Sequence, residues 1–185
     1  MAIALLLAGC SQSTSGRGAP DPTAVLSCAP GAVTATAAPF CYPVPAGFRD
    51  ETAQIQPEPG WTYRSRVALS TETWIGVVAS SVGDDTDADD DTALAKRAEQ
   101  MHMKKGQFET TTATEYTRLK VAGARAFEQY VTYKTGVAAR SIVVYRGRTI
   151  VQITCFLVPN TEAAERSRAA CSQVLDTIQI VSLPR

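Results

Sequence analysis

The sequence predicts an α+β domain. Three observations carry this prediction. Residues 61–82 and 114–157 have strand-like composition, a segment between them has helical periodicity, and a segment after them has helical periodicity too. The predicted order is an extended lead-in, two strands, a helix, four strands, a helix and a short strand. At 185 residues, the chain has room for one domain of ordinary size with a sizeable core.

The first strands are predicted from composition and turn residues. The lead-in at 40–48 mixes apolar residues with prolines and a turn glycine, as edge strands do. After a Pro- and Gly-rich breaker, residues 61–70 and 73–82 carry the aromatic and β-branched side chains that are typical of paired strands.

Two helices are predicted from apolar spacing and from their ends. The first covers 92–106, with acidic residues before it, lysines in its last turn and a glycine that ends it. The second begins at Asn160 or Thr161 and has two glutamates in its first turn. The predicted inner stripes are Leu94, Ala98 and Met101 in the first helix, and Ser167, Ala170, Cys171, Val174, Leu175 and Ile178 in the second.

Four strands are predicted within 114–157. Turn residues at 121–124, 135–136 and 146–148 divide this stretch, and the last of these joins two strands as a tight hairpin. In the final strand of the four, one apolar face is formed by Val151, Ile153, Cys155 and Leu157. The chain closes on a short predicted strand at 178–181.

Four short motifs link this order of elements to a known fold. They are YPVPAGF at 42–48, VAGARA at 121–126, YRGR at 145–148 and VLDTI at 174–178. With them, residues 40–181 resemble the PsbP/Mog-type α/β fold and, more narrowly, the small actinobacterial LpqN/LpqT-type lipoproteins. The resemblance implies an antiparallel β-sheet flanked by helices, an α/β/α sandwich. It also implies an accessory or binding role at a membrane or complex, with no shared catalytic motif.

The first ten residues predict a location. An apolar run ends in LAGC at 7–10, with small residues before a nucleophilic thiol. Residues 1–10 therefore resemble the signal segment and lipobox of bacterial lipoproteins, which implies cleavage before Cys10 and acylation of Cys10 by diacylglycerol and palmitate-like chains. No Lys or Arg precedes Cys10, although signal peptides carry a basic n-region, so we expect the natural start to lie upstream.

Residues 11–39 are rich in Ser, Thr, Gly, Ala and Pro. Such a composition cannot bury a core, and it predicts a flexible tether between the lipid and the folded domain at 40–181.

The remaining cysteines are Cys28, Cys41, Cys155 and Cys171. An even number in an exported chain predicts two disulfides, and three pairings are possible in principle. Local patterns favour Cys28 with Cys41 and Cys155 with Cys171, because the latter two both point at the core between sheet and helix. Zinc is the competing interpretation, although no pair has the close spacing of metal ligands.

Charge and motif content exclude some functions. Eighteen basic and eighteen acidic residues give a net charge of zero, which argues against nucleic acid as a partner. The lipid anchor, rather than surface charge, would therefore hold the protein to the membrane. The chain has one histidine and no Gly-x-Ser-x-Gly motif, so we expect no catalytic activity of its own.

The sharpest local charge feature is an acidic loop at 84–91. The spacing of Asp85, Asp87 and Asp89 is similar to the start of a calcium loop. The glycine and distant glutamate of an EF-hand are missing, and a solvated loop that favours the following helix start explains most of the run. Calcium binding by this loop nevertheless remains an alternative. The alternative function is a small hydrolase, or a calcium-dependent enzyme or sensor that uses this loop.

A ligand groove is the third candidate site. We expect Trp61, Trp74, Tyr116 and Tyr130 to line a groove between sheet and helices, although most aromatic residues in a domain of this size belong to the core. The sequence thus predicts a lipid-anchored binding or accessory protein on the extracytoplasmic face of the cell membrane. Its partner would be an envelope protein or an apolar small molecule, and no cofactor is required.

Overall fold

The computed structural model describes residues 26, 28–33, 38–56, 60–103 and 110–183. The lipobox with Cys10 and most of the predicted tether lie outside these residues. Within them, the chain forms two antiparallel sheets and two α-helices, α1 (Asp91–Met103) and α2 (Glu162–Thr177). Neither helix is long and apolar enough to cross a membrane.

The larger sheet has eight strands, which in chain order are β3 (Arg49–Asp50), β4 (Tyr63–Ala68), β5 (Trp74–Ser81), β6 (Thr110–Ala113), β7 (Thr117–Val121), β8 (Ala124–Tyr133), β9 (Ala138–Arg146) and β10 (Thr149–Leu157). Their spatial order is β3-β4-β5-β10-β9-β8-β6, and β7 pairs with a separate part of β8. The tight β7–β8 hairpin has positive φ at both central residues, Ala122 (50°) and Gly123 (75°), as its two-residue turn requires.

The smaller sheet is built from both ends of the domain. It contains β1 (Ala32–Val33), β2 (Phe40–Pro43) and β11 (Gln179–Ile180), in the order β1-β2-β11. Residues 28–33, which composition assigned to the tether, therefore belong to the folded unit. The side chain of Val33 is 1% exposed, so this short segment contributes to the core.

The helices begin where side chains cap their free N–H groups. The carboxylate of Asp90 accepts from the Ala93 amide at 2.8 Å at the start of α1, and the Thr161 hydroxyl accepts from the Ala164 amide at 3.1 Å at the start of α2. The prediction that Asn160 or Thr161 caps the second helix is thus confirmed for Thr161.

The elements form three layers. One face of the large sheet, here called the α2 face, packs against α2 and the small sheet; its buried residues include Ile75, Ile153 and Cys155. The opposite face, the α1 face, packs against α1 through Val143 and Tyr145 among others. The predicted fold class, an antiparallel sheet flanked by helices, is confirmed.

Candidate functional site

The four aromatic residues predicted to line one groove do not lie together. Side chains alternate between the faces of a sheet, so the pairing register assigns each residue to a face. Trp74 lies on the α1 face, where Tyr116 also packs against the core beneath α1. Tyr130 lies on the α2 face, and Trp61 precedes β4 as a half-buried residue. The predicted groove is therefore divided between two faces.

A row of three aromatic rings and one guanidinium crosses the α1 face. The ring centroids of Trp74 and Phe156 are 4.1 Å apart, and those of Phe156 and Tyr133 are 6.1 Å apart. The guanidinium carbon of Arg66 lies 4.7 Å from the centroid of the Trp74 ring. These four residues, named here the aromatic row, come from β4, β5, β10 and β8, so the sheet itself fixes their spacing.

The aromatic row combines apolar ring surface with a positive charge. All four side chains are half-buried, and Arg66 forms an ion pair with Glu51, with 3.4 Å between Nε and Oε2. Burial raises the pKa of Tyr133, so its hydroxyl is neutral near pH 7. Such a row can contact an apolar or planar group beside the Arg66–Glu51 ion pair. Sequence reasoning had named Trp74 but neither Arg66 nor Phe156.

Tyr130 is the centre of a second, smaller patch. Its side chain is 52% exposed, and the guanidinium carbon of Arg140 lies 5.9 Å from its ring centroid. Arg140 also forms an ion pair with Glu128. The charge of this patch is therefore balanced within the protein.

Arg125 ties the acidic loop to the sheet. Its Nη1 donates to the carbonyl of Asp89 and its Nη2 to the carbonyl of Thr86, each at 2.6 Å, and Nη1 lies 3.4 Å from the Asp91 carboxylate. The Thr86 hydroxyl is buried and donates to the carbonyl of Gly147 at 2.6 Å. The loop is therefore held in place by β8 and by the β9–β10 hairpin.

The carboxylates of this loop are used inside the protein. Asp85 accepts from the Asp87 amide at 3.0 Å, and Asp89 lies 3.2 Å from a guanidinium nitrogen of Arg97. Within the described ranges, no three acidic, histidine or cysteine side chains gather in a way that could hold a metal ion. The predicted calcium ligands Asp85, Asp87 and Asp89 are not brought together, so this geometry gives the calcium alternative no support.

Both predicted disulfides are formed. Cys28 joins Cys41, with 6.1 Å between the Cα atoms, and ties the start of the described chain to β2. Cys155 joins Cys171, with 6.0 Å between the Cα atoms, and ties β10 to α2. The prediction that the second pair lies in the core between sheet and helix is confirmed, because both side chains are 1% exposed.

Several tyrosines have raised pKa values, and burial is the main cause. The pKa of Tyr116 is raised to about 12, first by burial and then by the charge of Glu99. The pKa values of Tyr42 and Tyr145 are raised further. The Tyr145 hydroxyl donates to the carbonyl of Leu94 at 3.0 Å, which joins β9 to α1. Shifts in this direction keep the hydroxyls neutral and reflect packing rather than proton transfer near pH 7.

No protein family and no curated protein matches the chain in sequence. Among solved structures, the cyanobacterial PsbP (CyanoP) of Synechocystis sp. PCC 6803 is similar, with 14% identity, a TM-score of 0.53, and coverage of 80% of this chain and 91% of that protein.

Two further structures are less similar. A protein from Bacteroides thetaiotaomicron VPI-5482 matches over 77% of this chain, with 10% identity and a TM-score of 0.45, and the chain spans 45% of that protein's length. A protein of unknown function from Pseudomonas aeruginosa has 16% identity and a TM-score of 0.38, with coverage of 71% of this chain and 90% of that one. The similarity to the cyanobacterial protein shows that the chain has a PsbP-like fold, and at 14% identity it establishes the fold alone.

Proposed function

We propose that this protein is a lipid-anchored binding or accessory protein on the extracytoplasmic face of a bacterial cell membrane, and that it acts by contact rather than by catalysis. The observation that carries the location is the pair of disulfides within one small domain. Disulfides persist in oxidising compartments outside the cytoplasm and are rare inside it. The lipobox motif at 7–10 supplies the proposed means of attachment through Cys10.

The aromatic row is the contact surface that we propose for a partner. Its rings come from strands of the large sheet, which the Cys155–Cys171 disulfide ties to α2. Little conformational entropy is therefore lost when a ligand packs against them. Tryptophan, tyrosine and arginine are also the side chains enriched at binding hot spots. An apolar ligand or an envelope protein with an apolar side chain and a nearby acid would fit Trp74 and Arg66 together.

The narrower kinship with LpqN/LpqT-type lipoproteins is part of this proposal. It is supported by the lipobox and by the four motifs of the domain, and the PsbP-like fold is compatible with it. The calcium-dependent alternative is less well supported, because the carboxylates of Asp85, Asp89, Asp90 and Asp91 contact arginines or backbone amides.

Attachment is tested by expressing the gene from its natural start in a bacterial host, as wild type and as Cys10→Ala. We expect the wild type to partition into the detergent phase and to incorporate labelled palmitate, and the variant to do neither. Cys28→Ala/Cys41→Ala is the control, because it removes two other cysteines and leaves both Cys10 and the Cys155–Cys171 disulfide in place. Aqueous partitioning of the wild type, or palmitate in the Cys10→Ala variant, would contradict the proposed anchor.

Binding is tested by tryptophan fluorescence, since the chain has two tryptophans. In Trp61→Phe the emission comes from Trp74 alone, and in Trp74→Phe it comes from Trp61 alone. We expect apolar probes that carry a carboxylate, such as a medium-chain fatty acid, to change the emission of Trp74 and to leave that of Trp61 unchanged. Equal responses of both variants, or none, would show that the aromatic row is not the contact surface.

A further inference from the structure

The two disulfides differ in how deeply their cysteines are buried. Cys155 and Cys171 are each 1% exposed and lie between β10 and α2. Cys41 is also buried, at 2% exposure, but its partner Cys28 is only partly buried. Cys28 is therefore the least buried of the four cysteines in disulfides, whereas the other pair is enclosed by the core.

Within the part of the chain that the structure describes, few other contacts hold residues 28–33. In β1, only Ala32 and Val33 pair with β2, and one backbone bond, from the Ala32 amide to the Ala29 carbonyl at 3.0 Å, closes a turn before them. Val33 is the buried side chain of this strand. Two-residue pairings are marginal on their own, so the disulfide supplies much of what keeps residues 28–33 on the domain.

We propose that the Cys28–Cys41 disulfide is a reducible staple that sets the length of chain between the lipid anchor and the domain. This inference rests on the proposed anchor at Cys10 for its biological meaning. When the disulfide is closed, the chain from Cys10 to the link at Cys28 is 18 residues long. When the disulfide is open and β1 is released, the chain from Cys10 to Phe40, where β2 begins, is 30 residues long. At about 3.4 Å per extended residue, the greatest reach grows from about 60 Å to about 100 Å.

The chemistry is thiol–disulfide exchange with a dithiol reductant. One thiolate of the reductant attacks Sγ of Cys28, the less buried residue of the pair, and the S–S bond to Cys41 breaks. Cys41 leaves as a thiolate and takes up a proton. The second thiol of the reductant then attacks the mixed disulfide and releases Cys28 as a thiol. The protein gains two electrons and two protons, and the reductant becomes a cyclic disulfide.

Selective reduction is tested on the full chain carrying Cys10→Ser, which leaves four cysteines. The folded protein is incubated with dithiothreitol without denaturant, samples are alkylated over time, and the labelled cysteines are identified by peptide mass spectrometry. We expect Cys28 and Cys41 to become labelled at least about tenfold sooner than Cys155 and Cys171, because exposed disulfides exchange faster than buried ones. Equal rates, or resistance of both pairs until the domain unfolds, would overturn the proposal.

Release of the segment is tested by amide hydrogen exchange on the same samples. We expect residues 29–33 to lose protection once Cys28–Cys41 is reduced, while β10 and α2 keep theirs. Cys28→Ala/Cys41→Ala should show the same exchange pattern without reductant. Unchanged protection at 29–33 in both samples would show that reduction does not lengthen the tether. Neither measurement needs an acylated chain, so a failure of lipidation at Cys10 and a failure of the staple are separate results.

Discussion

The indole of Trp74 occupies the space that a side chain at Gly76 would need. A Cβ built at Gly76 would lie 2.7 Å from Cζ3 of that indole, closer than two carbon atoms can approach without a shift. Both residues lie on β5 and point to the α1 face, so the ring covers the strand two positions beyond its own Cα. A glycine in the middle of a strand is thus explained by close packing, and it determines the position of Trp74, the ring of the aromatic row that lies between Arg66 and Phe156.

Replacing Gly76 tests this relationship. We expect Gly76→Ala to displace the indole and to lower the free energy of unfolding by about 1–3 kcal/mol, as overpacking does. In a Trp61→Phe background, the emission of Trp74 should also shift. Gly83→Ala is the matched control, because nothing lies within 4 Å of a Cβ at that position. Denaturant unfolding that gives equal stabilities for the two variants would contradict the proposed packing.

The two disulfides should contribute unequally to global stability. Cys155→Ala/Cys171→Ala removes a crosslink between β10 and α2 that encloses 16 residues of sequence, and a loop of that length is associated with about 3 kcal/mol. Cys28→Ala/Cys41→Ala, the matched control, should have a smaller effect on the main unfolding transition, because its segment lies at the edge of the small sheet. Calorimetric melting of both variants would measure the difference, and equal losses would contradict this view.

Elements with strong periodicity could be predicted from the sequence. In β10 the alternation of Val151, Ile153, Cys155 and Leu157 marks the α2 face, and all four are buried. The stripe of α2 was predicted almost completely, since only Leu175 among its members is half-buried rather than buried. Both patterns are local, so a single chain segment contains all the information that they need.

Features that depend on pairing between distant segments could not be predicted. β1 and β3 have two residues each, too few to show a period, and β1 depends on its pairing with β2, on the burial of Val33 and on a disulfide. Likewise, the aromatic row requires the register that places Trp74 opposite Phe156, and a shift of one residue would send one ring to the other face. The grouping of Trp74 with Tyr130 in one groove failed for this reason.

Arg125 is expected to be the main support of the acidic loop. Arg125→Ala would leave the carbonyls of Thr86 and Asp89 without their charged donor, and we expect a loss of about 2 kcal/mol in the free energy of unfolding. Arg168→Ala is the control: its partner Glu165 is exposed, and solvent screening leaves such pairs with little effect on stability.

Amide exchange adds a readout that is local to the loop. In Arg125→Ala, the first turn of α1 should exchange faster than in the wild type, because its anchor to β8 is lost, while α2 should be unaffected. If the two arginine variants have the same stability and the same exchange pattern, the loop is held by the Thr86 amide and hydroxyl, which both donate to the Gly147 carbonyl, rather than by Arg125.

Alkaline pH should destabilise the domain through its tyrosines. The folded-state pKa of Tyr116 is raised to about 12, and those of Tyr42 and Tyr145 are also raised, whereas an unfolded tyrosine titrates near pH 10. A raised folded-state pKa means that the stabilising contribution is complete below about pH 10 and is lost as the pH rises through the folded-state values. We therefore expect the melting temperature to be insensitive to these groups up to about pH 9 and to fall between about pH 10 and pH 12.

Tyr116→Phe separates this effect from general alkaline damage. The variant lacks the ionisable hydroxyl, so its melting temperature should fall less steeply than that of the wild type over the alkaline range. Tyr116 is the preferred position because its pKa is raised to about 12, whereas the pKa values of Tyr42 and Tyr145 are raised further, beyond the accessible alkaline range. Ultraviolet absorbance of tyrosinate, followed in the folded protein, gives an independent titration. Identical alkaline melting curves for wild type and Tyr116→Phe would show that ionisation of Tyr116 is not coupled to unfolding.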